Sequence, residues 1–115
     1  MEGFAAVRSV VPSLRPTLTT RYQRSTILIG SDRRATIDVE VTGADPDGRA
    51  ASLGEYVIVE TKSAQAAGPL DRALWAMHLR PVTISKYGTL LAAANPQLPS
   101  NRWHRALVRY VDRCR

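Results

Sequence analysis

The sequence predicts an α+β domain in which an antiparallel sheet of three or four strands is flanked by helices. Residues 34–42 alternate polar and apolar side chains with the period of a β-strand, and residues 17–24 are rich in β-branched and aromatic side chains. Residues 55–62 form a third strand candidate after the turn-forming loop 43–48. Three segments place apolar residues at helical spacing: 3–11, 69–79 and 102–113.

The first 13 residues are predicted to be a helical lead-in to the sheet. Phe4, Val7 and Val11 recur at helical spacing, and Pro12 limits any continuation of the helix. In the strand that follows, Tyr22 and Arg24 are two residues apart, so their side chains share one face.

The next two strands each present charged residues on a single face. Arg34, Thr36 and Asp38 alternate with apolar residues, and Glu60 and Lys62 point the same way on the third strand. A solvated sheet face explains this pattern equally well. The functional interpretation is a wet cavity in which basic groups bind phosphate oxygens and Glu60 holds a divalent cation.

The remaining segments are predicted to be helical. Pro69 is well placed as the first residue of a helix, and Pro81 ends it. A short helical stretch begins at 85–87 and continues to Ala94, with Ser85 as its N-cap. Residues 95–115 are predicted to carry a basic amphipathic helix. Its arginines form either a solvated face or an extension of an anion-binding path: Arg102, Arg105 and Arg109.

Composition limits the functional classes. The 115 residues make one domain, and 44% apolar with 23% charged residues is ordinary for a folded protein. A formal charge of +6 favours anionic partners. Cys114 is the single cysteine, and His78 and His104 lack metal-site spacing, so neither redox chemistry nor a histidine or cysteine metal site is expected. With no membrane-spanning apolar run and no basic signal start, a cytoplasmic location is expected.

Four short motifs occur in order along residues 14–94. They are Tyr22-Gln23-Arg24, Arg34-Ala35-Thr36-Ile37-Asp38, Val57-Ile58-Val59-Glu60-Thr61-Lys62 and Ser85-Lys86-Tyr87-Gly88. In this order and at these intervals they resemble the second half of the VTC domain, the polyphosphate polymerase domain of the triphosphate tunnel (CYTH-like) superfamily.

The resemblance implies half of an antiparallel tunnel barrel and a set of ligand-binding residues. The complete family domain transfers the γ-phosphate of ATP to a growing polyphosphate chain with a divalent metal, manganese or magnesium. Carried over to this sequence, Glu60 would coordinate the metal. Phosphate contacts or support for them would come from Tyr22, Arg24, Arg34, Lys62, Ser85 and Lys86. For Tyr22 the alternative is packing beside the sheet, and for Ser85 it is helix capping alone.

Two functions are compatible with these observations. The chain is either a partial polyphosphate polymerase domain that binds ATP or polyphosphate, or a non-catalytic module that binds polyphosphate and pairs with another chain. The family's first strands have no counterpart before Met1, which favours the non-catalytic module; a fragment, a shortened reading frame, a degenerate copy and a chain that pairs with another are all compatible with it. Nucleic acid is the weaker expectation, because the sequence has no RNP-like strand, KH loop or zinc-finger spacing.

Overall fold

The computed structural model describes residues 6, 8–64, 66–97 and 109–113. Within them the chain forms an antiparallel sheet, two α-helices and a 3₁₀ turn at Val11–Ser13. The strands are Thr19–Ile29 (β1), Arg33–Ala44 (β2), Ala50–Ser52 (β3), Ile58–Ser63 (β4) and Asp112–Arg113 (β5). The helices are Pro69–Ala76 (α1) and Lys86–Ala94 (α2). The α+β class with an antiparallel sheet is therefore confirmed.

Strand β2 organises the sheet because it pairs along both of its edges. Strand β1 lies along the whole of one edge, whereas the other edge is shared by β4 near the start of β2 and β3 near its end. The described strands form an open sheet and do not close into a barrel. No helix within the described ranges is long and apolar enough to cross a membrane.

A β-bulge interrupts β2 in its middle. Arg21 faces Thr42 while Gln23 faces Val39, so β2 contains one more residue than β1 across this interval. Glu40 lies in the bulge with a φ of 53°. Because the extra residue reverses the alternation, Val41 joins the face of the sheet that carries Asp38. The alternation predicted from 34 to 42 therefore does not hold beyond Glu40.

The core lies between α2 and the end of β2 that follows the bulge. Leu90 is fully buried, and it packs so closely on Gly43 that an added Cβ would lie 3.0 Å from the Leu90 Cβ. The remaining core residues are small or medium in size: Val41, Ala51, Leu53, Ala92 and Ala93. Helix α2 therefore covers the Asp38 face of the sheet beyond the bulge, where that face carries Val41 and Gly43.

Helix α1 is joined to β4 by one carboxylate. Asp71 accepts hydrogen bonds from the Thr61 hydroxyl and, at 2.8 Å, from the backbone N–H of Gly68. These two donors hold the pKa of Asp71 below its usual value. Thr61 points away from the face of Glu60 and Lys62, so α1 lies on the opposite side of the sheet. The helix ends at Ala76, three residues before the predicted end at Leu79.

The predicted terminal helices lie only partly within the described residues. Residues 6 and 8–10 are helical and lead into the 3₁₀ turn, while 3–5 and 7 lie outside the described residues. At the other end, 102–108 also lie outside them, and helix is observed at Arg109 and Tyr110. The prediction of helix to 113 is wrong, because Asp112–Arg113 pair with the free edge of β3.

Replacing Gly43 with alanine is expected to lower the free energy of unfolding by about 1 to 3 kcal/mol, because Leu90 must move to admit the new methyl group. Urea unfolding of the two proteins measures the change. In a Leu90→Ala background the same substitution should cost less, because Cδ1 at 3.2 Å and Cγ at 3.5 Å are gone, although the Cβ at 3.0 Å remains. An equal cost in both backgrounds would contradict this packing.

Candidate functional site

A groove of about 140 Å³ lies on the charged face of the sheet, before the bulge. Three adjacent strands each contribute two side chains to it, since alternate residues of a strand point to one face. Thr36 of β2 faces Thr26 on one side and Glu60 on the other, and Arg34 faces Lys62. The lining is completed by Arg24 of β1.

The groove is electropositive because three of its six lining residues are cations and one is an acid. Lys62 Nζ lies 3.3 Å from Glu60 Oε1, but both side chains are about half exposed, at 57% and 45%, so this ion pair is weak. Arg34 makes no ion pair or side-chain hydrogen bond to another of the described residues. An anion entering the groove therefore meets available donors.

A buried carboxylate lies at the end of the groove next to the bulge. Asp38 is 0% exposed, and its two oxygens accept from Arg24 Nε at 2.7 Å and Arg24 Nη2 at 2.8 Å. Lys86 Nζ, from the first turn of α2, donates to Asp38 Oδ2 at 2.5 Å. Arg24 first, and then Lys86, lower the pKa of Asp38 to about 2, and Asp38 in turn raises the pKa of Arg24.

The ring of Tyr22 lies against both of these cations. The Arg24 guanidinium carbon is 5.1 Å from the ring centroid, and Lys86 Nζ is 4.7 Å from it. Both distances are within the range of cation–π attraction. Tyr22 is therefore placed to support Arg24 and Lys86 from the side, and it is not among the residues that line the groove.

Ser85 is placed as the N-cap of α2. Its hydroxyl oxygen accepts the backbone N–H of Gly88 at 3.2 Å, which satisfies one of the free donors at the start of the helix. The structure thus brings four of the predicted site residues into one groove: Arg24, Arg34, Glu60 and Lys62. Lys86 and Tyr22 adjoin Arg24, and Ser85 stands one residue before Lys86 in the cap.

Sequence reasoning missed two residues that shape this site. The first strand was predicted to end at Arg24, so Thr26 was not considered, although it continues the same alternation toward Gly30. Asp38 was placed on the charged face but was given no role in the site. Its burial depends on α2, which lies almost fifty residues later in the chain, and no local pattern predicts that contact.

The groove does not by itself fit a resident divalent metal. Glu60 is its one lining carboxylate and is paired with Lys62, while Asp38 is bound by two cations. No group of three or more potential metal ligands occurs among the described residues. A magnesium or manganese ion would need oxygens from a bound phosphate to complete its coordination. The metal role of Glu60 stays a prediction.

Comparisons with known proteins return no similar protein: no family model, no curated protein and no solved structure matches this chain. The resemblance to the VTC domain therefore stays a prediction from the four sequence motifs.

The low pKa of Asp38 predicts that the free energy of unfolding falls at acid pH. Because the folded-state pKa is about 2 and the unfolded value is about 3.9, ionised Asp38 stabilises the fold by about 2 to 3 kcal/mol above about pH 5. This contribution is lost as the pH falls toward 2. Carbon-13 NMR of the Asp38 carboxyl group measures its titration directly. A midpoint at or above 3.9 would contradict the double ion pair.

Proposed function

We propose that this chain binds the phosphate groups of polyphosphate, or of the triphosphate of ATP, in the groove of its sheet. The observation that carries the proposal is the convergence of three cations from three adjacent strands, Arg24, Arg34 and Lys62, on one groove that also contains two threonine hydroxyls. These three cations also belong to the ordered motifs that resemble a phosphate-binding family.

The chemistry of the lining suits phosphate. Arginine offers a planar pair of donors to two oxygens of a phosphate group, whereas lysine supplies a compact point charge. The hydroxyl groups of Thr26 and Thr36 can donate to further oxygens between the cations. Each cation that pairs with a phosphate adds an electrostatic contribution that weakens as salt is added.

The placement of the cations favours an extended anion. Arg24 faces Asp38, while Arg34 lies four residues away from Asp38 on β2, a separation of roughly 13 Å along the strand. A chain of linked phosphates can contact donors at both ends of such a groove and the hydroxyls between them. A single phosphate would engage fewer of these groups at once.

The family activity that the motifs imply is transfer of the ATP γ-phosphate to polyphosphate. Positioned cations supply most of the catalysis in phosphoryl transfer, and a bound divalent metal would add charge neutralisation. In the described residues the groove lies on an open sheet, which leaves one side of a bound phosphate chain in water. This observation favours the second candidate, a non-catalytic polyphosphate-binding module that pairs with another chain.

Replacing Arg34 with alanine is expected to weaken binding of tripolyphosphate by roughly tenfold or more, because it removes a charged donor that has no competing partner in the described part of the chain. Isothermal titration measures the dissociation constant. Arg72→Ala is a matched control, because it removes the same charge from α1 on the other side of the sheet and should leave binding nearly unchanged.

Equal affinities of the parent and Arg34→Ala would place the anion outside the groove. Equal losses of affinity in the Arg34 and Arg72 variants would mean that binding depends only on the net charge of the chain. RNA that displaced tripolyphosphate at moderate salt would favour a nucleic-acid ligand instead.

The two candidate functions differ in whether the chain consumes ATP. A non-catalytic module should bind tripolyphosphate yet leave ATP unchanged in the presence of manganese, because the open groove does not enclose the reacting phosphates. Phosphorus-31 NMR of the reaction of the purified chain with ATP and manganese, recorded after a chelator has removed the paramagnetic metal, measures both ATP loss and polyphosphate growth. Growth of polyphosphate signals that depends on Glu60 would reject the non-catalytic candidate and support the metal assignment.

A further inference from the structure

The only fully buried charged side chain among the described residues is Asp38. It does not line the groove, and it contributes a negative charge beside a site proposed for anions. A buried carboxylate costs free energy unless it is paired and hydrogen-bonded. The contacts of Asp38 with Arg24 and Lys86 explain how it is tolerated in this position.

Asp38 joins a cation of the groove to a cation of the helix. It holds Arg24 through two parallel hydrogen bonds, which fix both the position and the plane of the guanidinium group. Its second oxygen also accepts from Lys86, so α2 is tied to the same point of the sheet. Tyr22 closes the other side of both cations.

We infer that Asp38 is a positioning residue of the anion site, which holds Arg24 in place at one end of the groove with Lys86 as its second ion-pair partner; this inference rests on the proposed function. Long basic side chains lose rotamer freedom when they bind a ligand. Here that freedom is already removed in the free protein, so the ligand meets a prearranged donor. Arg24 Nη1 is not used in its two bonds to Asp38 and remains available.

The alternative is that Asp38 competes with the bound anion for the donors of Arg24. In that case the carboxylate occupies the donors that a phosphate would use, and removal of its charge would strengthen anion binding. The geometry favours positioning, because the carboxylate is inaccessible while Arg24 remains 39% exposed beside the groove. A phosphate can therefore reach the arginine without displacing the aspartate.

The test is a double-mutant cycle in binding of tripolyphosphate. Asp38→Asn, which keeps the side-chain shape, is expected to weaken binding by roughly tenfold, because Arg24 is no longer held by charge. In an Arg24→Met background the same change should weaken tripolyphosphate binding by less than about twofold. In an Arg34→Ala background it should again weaken binding by roughly tenfold, since Asp38 does not contact Arg34.

The outcomes separate the two proposals. A parent chain that does not bind tripolyphosphate contradicts the proposed function and this inference with it. A binding parent whose Asp38→Asn variant binds equally or more tightly contradicts this inference alone. Equal losses from Asp38→Asn in the Arg24 and Arg34 backgrounds would also overturn it, because a general structural defect does not depend on Arg24.

A second measurement needs no variant and covers the case in which Asp38→Asn fails to fold. The Nε–H proton of Arg24 is expected to exchange slowly with water in the free protein, because it is bound to a buried carboxylate. Proton–nitrogen NMR should find it still protected after saturation with tripolyphosphate. Rapid exchange in the saturated protein would mean that the phosphate displaces Asp38, and would overturn the inference.

Discussion

The double ion pair of Asp38 is the interaction on which the rest of this structure depends. One buried carboxylate receives a cation from β1 and a cation from α2, so it fastens the helix to the sheet at the boundary between the core and the groove. Removal of either cation would leave charge buried with fewer partners, which is costly. The same contact therefore serves the packing of the helix and the arrangement of the groove.

The β-bulge at Glu40 explains how one face of β2 serves both purposes. Before the bulge this face carries Arg34 and Thr36 and stays open, and after it the face carries Val41 and Gly43, which α2 covers. The core is built largely from alanines and a few larger residues, so apolar burial alone supplies limited stability. Polar contacts such as that of Asp38 with Lys86 therefore contribute a larger share of the stability here than they would in a protein with a larger apolar core.

Local patterns in the sequence predicted strands at β1, β2 and β4, but not β3, and the shared face of Arg34, Thr36 and Asp38, because side-chain alternation is a property of the strand itself. They could not predict that Arg34 would face Lys62, since strand pairing depends on the path of the intervening loop. The bulge left no mark in the pattern of apolar residues. Strand β5 was mistaken for helix because its pairing with β3 is a long-range contact that overrides local preference.

Phosphate binding in the groove is tested most directly by mapping the anion with proton–nitrogen NMR during titration with tripolyphosphate. We expect shifts that are concentrated in the groove, at Thr26, Arg34, Thr36 and Lys62, with little change on α1. Arg109 lies apart from the groove lining, so it serves as an internal comparison within the same spectrum. Shifts concentrated at Arg109, or an absence of shifts in the folded chain, would contradict the assignment of the groove as the phosphate site.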